Sequence, residues 1–180
     1  MDMQREQYLT FFMRGEEYAV DIQRVKEIIE YEKVTRVPTL PLHVRGVINL
    51  RGAVLPVVDL AAQFGHGETE PVRTTCIVVV EARGGDEMAG PLIAVGLMAD
   101  AVSEVVDLAA GDIEPPPPFG TKVRIDFLRG MGKLGGRLVL VLDIDRALSP
   151  VDIEQASLEP GEPALDALIN HDAVAEAAQL

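Results

Sequence analysis

Gly130-Met131-Gly132-Lys133-Leu134-Gly135 has the spacing G-x-G-x-x-G, which cradles a phosphate when it opens a helix whose N-terminus faces the ligand. The residues that follow, Arg137 to Leu142, form a β-type run. The setting a dinucleotide needs is therefore missing. His43, His66 and His171 stand in loop- or tail-like contexts, with neither the spacing of a metal site nor a partner cysteine. Cys76, the single cysteine, opens the apolar run CIVVV; it reads as a buried small hydrophobe and excludes a disulfide within the chain. No nucleophile elbow, Walker loop or zinc pattern occurs. Acids are so plentiful, at 29 Asp and Glu, that choosing any pair of them says little. The expectation is a chain that is not an enzyme and takes no cofactor or metal.

What stands out instead is a pair of cations in an apolar setting. Val44 to Leu60, VRGVINLRGAVLPVVDL, carries Arg-Gly twice, at Arg45-Gly46 and Arg51-Gly52. A cation at a hairpin tip beside apolar strands can anchor an interface.

The elements that would place these residues are mostly strands. Short runs of Val, Ile and Leu, broken by Gly, Pro and Asp, point to a mainly β chain. Tyr8 to Met13 and Tyr18 to Ile22 read as a hairpin around Arg14 to Glu17. Asp21 can then cap a short helix with Ile22, Val25, Ile28 and Ile29 on one face, ended by Pro38 and Pro41. Val44 to Leu50 and Ala53 to Val58 form a second hairpin, Asp59 caps a helical turn through Phe64, and Gly65 to Pro71 is a polar loop. Thr75 to Glu81, Leu92 to Met98, Ser103 to Ala109, a segment near Val123 to Leu128, and Arg137 to Leu142 are further strands. Pro115 to Pro118 is a stiff loop.

At 180 residues the chain fits one domain or two packed halves, burying about two thirds of its unfolded surface. Its formal charge is -13, and residues 151 to 180 hold seven acids and no Lys or Arg. Such a balance repels phosphate backbones and anionic membrane surfaces, so nucleic acid and direct membrane insertion are both disfavoured. No apolar run approaches the roughly 18 residues of a membrane span, and the chain reads as soluble and cytoplasmic.

An internal repeat organises the rest. Arg45-Gly46, Gly52 and Asp59-Leu60 recur at the same spacing as Arg129-Gly130, Gly136 and Asp143-Ile144. A weaker echo pairs Ala19 to Ile22 with Ala94 to Leu97, and Val25 to Ile29 with Val102 to Val106. Two copies of one small β unit follow, each suited to a small barrel. Arg-Gly at 45 and 129 then serves the fold, with Gly allowing a bend or close approach. Arg51 is different, because its counterpart is Gly135.

Five motifs in order, GEEYAVDIQRVKEII (Gly15 to Ile29), VTRVP (Val34 to Pro38), Val44 to Leu60, DAVSEVVDL (Asp100 to Leu108) and FLRGMGKLGGRLVLVLDI (Phe127 to Ile144), resemble the CheW chemotaxis coupling proteins. The resemblance covers residues 7–149; residues 150–180 are left as an acidic, Ala-rich tail, part helical or disordered. It implies an all-β fold with short helices, two interlocked five-stranded SH3-like barrels. It also implies a non-catalytic adaptor joining methyl-accepting chemoreceptor cytoplasmic tips to the regulatory domain of a CheA-type histidine kinase, recruited to membrane receptor arrays. A coupling protein of a parallel pathway, for pili or a second messenger, is the alternative. By the same resemblance Val25, Glu27, Gly46, Arg51 and Val105 face the receptor, with Glu27 pairing Arg51, and Phe119 contacts the kinase or the array. Val25 and Val105 can equally be core residues, and exposure separates the two readings. The loop Gly84 to Pro91, the tail and the length of the proline run match no family motif.

Overall fold

The computed structural model describes residues 4–38, 40–83, 92–115 and 127–148. Eleven strands and two one-turn helices make up the described fold. In chain order they are β1 (Arg5–Met13), β2 (Glu16–Asp21), β3 (Val25–Glu30), β4 (Val44–Leu50), β5 (Ala53–Val58), α1 (Leu60–Gln63), β6 (Cys76–Arg83), β7 (Leu92–Ala99), β8 (Ala101–Ala109), β9 (Ile113–Glu114), β10 (Leu128–Leu134), β11 (Arg137–Leu142) and α2 (Ile144–Ala147). They form two sheets, ordered β8-β1-β2-β11-β10-β9 and β3-β6-β7-β5-β4.

Each sheet takes strands from both halves of the chain. The β1–β2 hairpin enters the first sheet through a parallel pairing of Tyr18 with Leu140 and Ala19 with Val141. The β6–β7 hairpin enters the second through Val57 with Gly96 and Val58 with Leu97. The expected interlock is therefore present. One difference is the sixth strand of the first sheet, β9, which pairs Met131 and Gly132 of β10. Its counterpart in the second sheet is a single residue, Thr35, whose N–H and carbonyl both bond Val47 at 2.9 Å. No pairing among the described residues closes either sheet into a barrel.

The repeat holds in atomic detail. Both second hairpins shift register at the Arg-Gly pair, between Val44 and Gly46 and between Leu128 and Gly130. The Asp59 carboxylate accepts the Ala62 N–H, and Asp143 does the same for Arg146, both at 3.3 Å. Asp59 and Asp143 also donate their own N–H groups to His43 and Phe127 carbonyls. The parallel pairings align Ala19 with Gly96, which shifts the first part of the weaker echo by two residues and leaves Val25 on Val102 unchanged.

The expected helix through Ile29 is not there. Asp21 does cap, accepting the Gln23 N–H at 2.9 Å, but the helical turn stops at Arg24. Val25 to Glu30 is strand, alternating half-buried and exposed. Ile22, Val25, Ile28 and Ile29 fit a helical period by coincidence; β-branched side chains and a partner in β6 decide for strand. The segment near Val123 to Leu128 lies mostly outside the described residues, as do Phe119, the Gly84 to Pro91 loop, Pro116 to Pro118 and the tail.

The largest core cluster draws on both halves, from Phe11, Tyr18 and Phe64 to Leu97, Leu142 and Ile144. A run of aromatic contacts crosses it, Phe11 to Tyr18 at 6.1 Å, Tyr18 to Phe64 at 6.3 Å and Phe64 to Phe127 at 5.2 Å between ring centroids. Polar ties reinforce the join. Arg24 grips Asp145 at 3.1 and 2.7 Å, and Asp145 also accepts the Arg83 N–H at 2.8 Å.

Gly46 is where this packing tolerates least. Its φ is +143°, and an added Cβ would overlap the Thr35 carbonyl and stand 2.9 Å from Arg36 Cα. Gly52, at φ +86° with open space around it, carries the conformational cost alone. Gly46→Ala should lose about 3 kcal/mol or more in urea unfolding, against about 1 kcal/mol for Gly52→Ala. Equal losses would contradict the close approach.

Two buried phenols resist ionisation in the fold. Burial and a bond donated to Glu6 at 3.0 Å push Tyr8 up to about 12, and burial beside Glu16 pushes Tyr18 higher still. Because the folded values are raised, this stabilisation is complete below the unfolded value of about 10 and disappears as pH rises through the folded ones. Absorbance at 295 nm should show these two phenolates forming only as the circular dichroism of the fold is lost. Ionisation of all three tyrosines near pH 10 in a folded chain would refute it.

Candidate functional site

The β4–β5 hairpin closes through Arg51 and Gly52, whose φ values are +53° and +86°. The repeat closes the same turn with Gly135 and Gly136, at +49° and +86°. Both turns thus have two consecutive left-handed residues, the two-residue form that matches strand twist and favours Gly or Asn at its first position. Arginine there costs on the order of 1 kcal/mol relative to glycine. The fold does not ask for it.

Glu27 receives the arginine. It lies on β3, just past the register shift between Val25 and Glu27. Arg51 Nη1 donates to Oε2 at 3.0 Å and Nη2 donates to Oε1 at 3.2 Å. This two-pronged geometry fixes the guanidinium plane. The Arg51 side chain is nevertheless 77 % exposed, against 20 % for Glu27. A solvated pair of this kind contributes about 0 to 1 kcal/mol, which at best offsets the strain of the turn. Arg51 is thus a presented cation on a tethered base, and stability does not account for it.

The repeat supplies a contrast. Glu104 occupies the position of Glu27 and accepts Arg137 at 2.6 Å, while Arg137 also reaches Glu17 at 2.9 Å. Bonds to Glu104 and the nearby Glu17 charge hold this guanidinium above its usual range. Arg137 is the first residue of β11, one place beyond the turn, and two acids share it. Arg51 has one acid and more solvent.

The remaining residues fall into different settings. Gly46 and Val25 share the second sheet with Glu27 and Arg51, but Gly46 is buried against Thr35 and Val25 packs on the main core cluster. Both have structural reasons to be what they are. Val105 is 50 % exposed on β8 in the first sheet. Phe119 lies outside the described residues. The structure therefore joins Glu27 and Arg51 directly, leaves Val105 open on the other sheet and absorbs Val25 into packing.

Of the exposed hydrophobes that sequence did not single out, one lies beside the Glu27–Arg51 pair. Ile28, beside Glu27, is 43 % exposed, and the repeat that places Val25 on Val102 places Ile28 on Val105. The signal was in the echo itself, where the same two residues align. The other two arginines in the motif are accounted for locally. Arg45 lies 3.7 Å from Glu68, which Arg36 also holds, and Arg129 lies 3.6 Å from Glu6. The glycine-rich run Gly130 to Leu134 is β10, antiparallel to β11, so it opens no helix. No cluster among the described residues gathers three metal-ligating side chains.

Comparison with known proteins places this geometry. A family model described as a CheW-like domain matches residues 7–151. The chain is 35 % identical to the chemotaxis protein CheW of Klebsiella aerogenes over 144 residues, covering 80 % of this chain and 82 % of that protein. It is 33 % identical to the CheW of Rhizobium meliloti over 148 residues, covering 82 % and 90 %. Among solved structures, the scaffolding protein TtCheW from Thermoanaerobacter tengcongensis superposes with a TM-score of 0.70 at 29 % identity, covering 81 % of this chain and 89 % of that one. The repeat, the interlocked sheets and these matches agree, and the chain belongs to the CheW-like family.

Proposed function

We propose that the chain is a non-catalytic chemotaxis adaptor that joins the cytoplasmic tips of methyl-accepting chemoreceptors to the regulatory domain of a CheA-type histidine kinase. The observation that carries this reading is Arg51, held out at a strained turn by Glu27 within a CheW-like domain. A cation presented in this way gives orientation and selectivity to an encounter more than raw affinity. The curated relatives with chemotaxis names and the solved scaffolding protein support the same reading. They do not favour the alternative of a parallel pathway for pili or a second messenger.

An adaptor needs two surfaces whose relation is fixed, so that the state of one partner reaches the other. The two sheets provide such a frame, since each is completed by strands of the other half. On the receptor side we place Arg51 and Glu27, with Val105 as an apolar contact. Val25 and Gly46 act there by shaping the strands beneath. Phe119 is assigned to the kinase or array side. No helix among the described residues is long and apolar enough to cross a membrane, and the adaptor would work in the cytoplasm at the receptor array.

Two measurements test the reading together. Arg51→Gly exchanges a strained arginine for the residue the repeat uses, so urea unfolding should change by less than about 1 kcal/mol. In a pulldown with a chemoreceptor cytoplasmic fragment and a kinase regulatory domain from the same organism, the unaltered chain should capture both. Arg51→Gly should lose the receptor fragment and keep the kinase domain. Failure of the unaltered chain to capture either at tens of micromolar, or an Arg51→Gly variant that still captures both, would reject it.

A further inference from the structure

The turn that carries Arg51 has a second device that the repeat lacks. Asn49, exposed two residues before Arg51, accepts the Gly52 N–H with Oδ1 at 2.9 Å. The corresponding residue in the second half is Lys133, which instead holds Glu114 at 2.9 Å. There the turn is Gly135-Gly136, and two glycines enter the left-handed region without help. Arginine does not. A side-chain acceptor on the Gly52 amide links the strand to the far residue of the turn and restricts Leu50 and Arg51, which lie between them. The half with the arginine has the extra bond, and the half with two glycines does without it.

We propose that Asn49 is a positioning residue for Arg51, locking the left-handed turn so that the guanidinium stands on Glu27 in the orientation a partner meets. The inference rests on the receptor-side reading of Arg51. Asn49 need touch no partner. Its effect passes through the turn, which gives it a signature separate from a contact residue or a general stabiliser.

The test uses the full chain with Asn49→Ala, Asn49→Asp, which keeps the acceptor, and Lys133→Ala as the matched change in the other half. In the free protein, nitrogen-15 relaxation of the Arg51 Nε should show a more mobile guanidinium in Asn49→Ala and an unaltered one in Asn49→Asp and Lys133→Ala. In calorimetric titration with a chemoreceptor cytoplasmic-tip fragment, Asn49→Ala should bind about fivefold more weakly, the loss of one ordinary hydrogen bond. Asn49→Asp should restore affinity and Lys133→Ala should leave it unchanged. In an Arg51→Ala background, Asn49→Ala should cost nothing further. An unaltered Arg51 Nε in Asn49→Ala overturns the inference, as does an undiminished fivefold loss when Arg51 is already alanine. If Arg51→Ala itself leaves binding intact, the receptor-side reading fails instead, and the relaxation data still decide whether Asn49 holds the turn.

Discussion

The whole structure depends on one exchange of strands. Tyr18 and Ala19 pair in parallel with Leu140 and Val141, and Val57 and Val58 pair in parallel with Gly96 and Leu97. Parallel neighbours cannot be joined by a tight turn, so each pairing unites segments far apart in the chain. Neither half has a complete sheet without the other. The main core cluster then forms between the two sheets and takes side chains from both halves. Such long-range pairing makes for slow folding, and it also removes any hinge between the halves. For an adaptor that is the useful property, because a load on one face is borne by the sheet of the other.

Electrostatics follow this frame rather than create it. In an acidic chain the arginines are spent at joins. Arg24 links the turn before β3 to Asp145 of α2, and Arg137 links β11 to Glu17 and Glu104. Arg14 donates to the Gly67 and Glu68 carbonyls, and Arg36 reaches the Glu68 carboxylate. Several of these groups are half exposed, and each alone is a small term. Their geometry matters more than their energy, since they fix how loops and short helices sit on strands whose backbone already determines the fold.

Much of this was legible because repeats are legible. The recurrence of Arg-Gly, Gly and Asp showed two copies of one β unit, and the hairpin and Asp59-capped turn read in the first copy are present; the second copy's β10 was not read as a strand, nor Asp143 as a cap, although the repeat carried both. Turn chemistry and capping are local, so sequence carries them. The strand β3 was misread because Ile22, Val25, Ile28 and Ile29 satisfy a helical period, and only pairing with β6 overrules it. The two-residue error in the weaker echo has the same origin, since the register of β2 is set by β11, more than a hundred residues away. At the site, the Glu27–Arg51 pair followed from the family resemblance. The packing of Val25 and the exposure of Ile28 did not, because which face of a short strand is covered depends on what distant segments pack against it.

In a duplicated fold, the two copies control for one another. Where they agree, the shared cause is structural. Gly46 and Gly130 both lie under a crossing carbonyl, Thr35 in one half and Glu114 in the other, and no partner need be invoked for either. Where they differ, the fold has shown that it can do without the feature. Gly135 closes its turn at φ +49°, close to the +53° of Arg51, and without the strain, and Lys133 leaves that turn without the bond that Asn49 supplies. Arg51, Glu27 and Asn49 form a connected set in which the cation is strained, the acid orients it and the amide braces the turn. A fold that can close this hairpin with two glycines has no need of such a set, and the receptor-side role proposed for the exposed guanidinium is what would give it a reason.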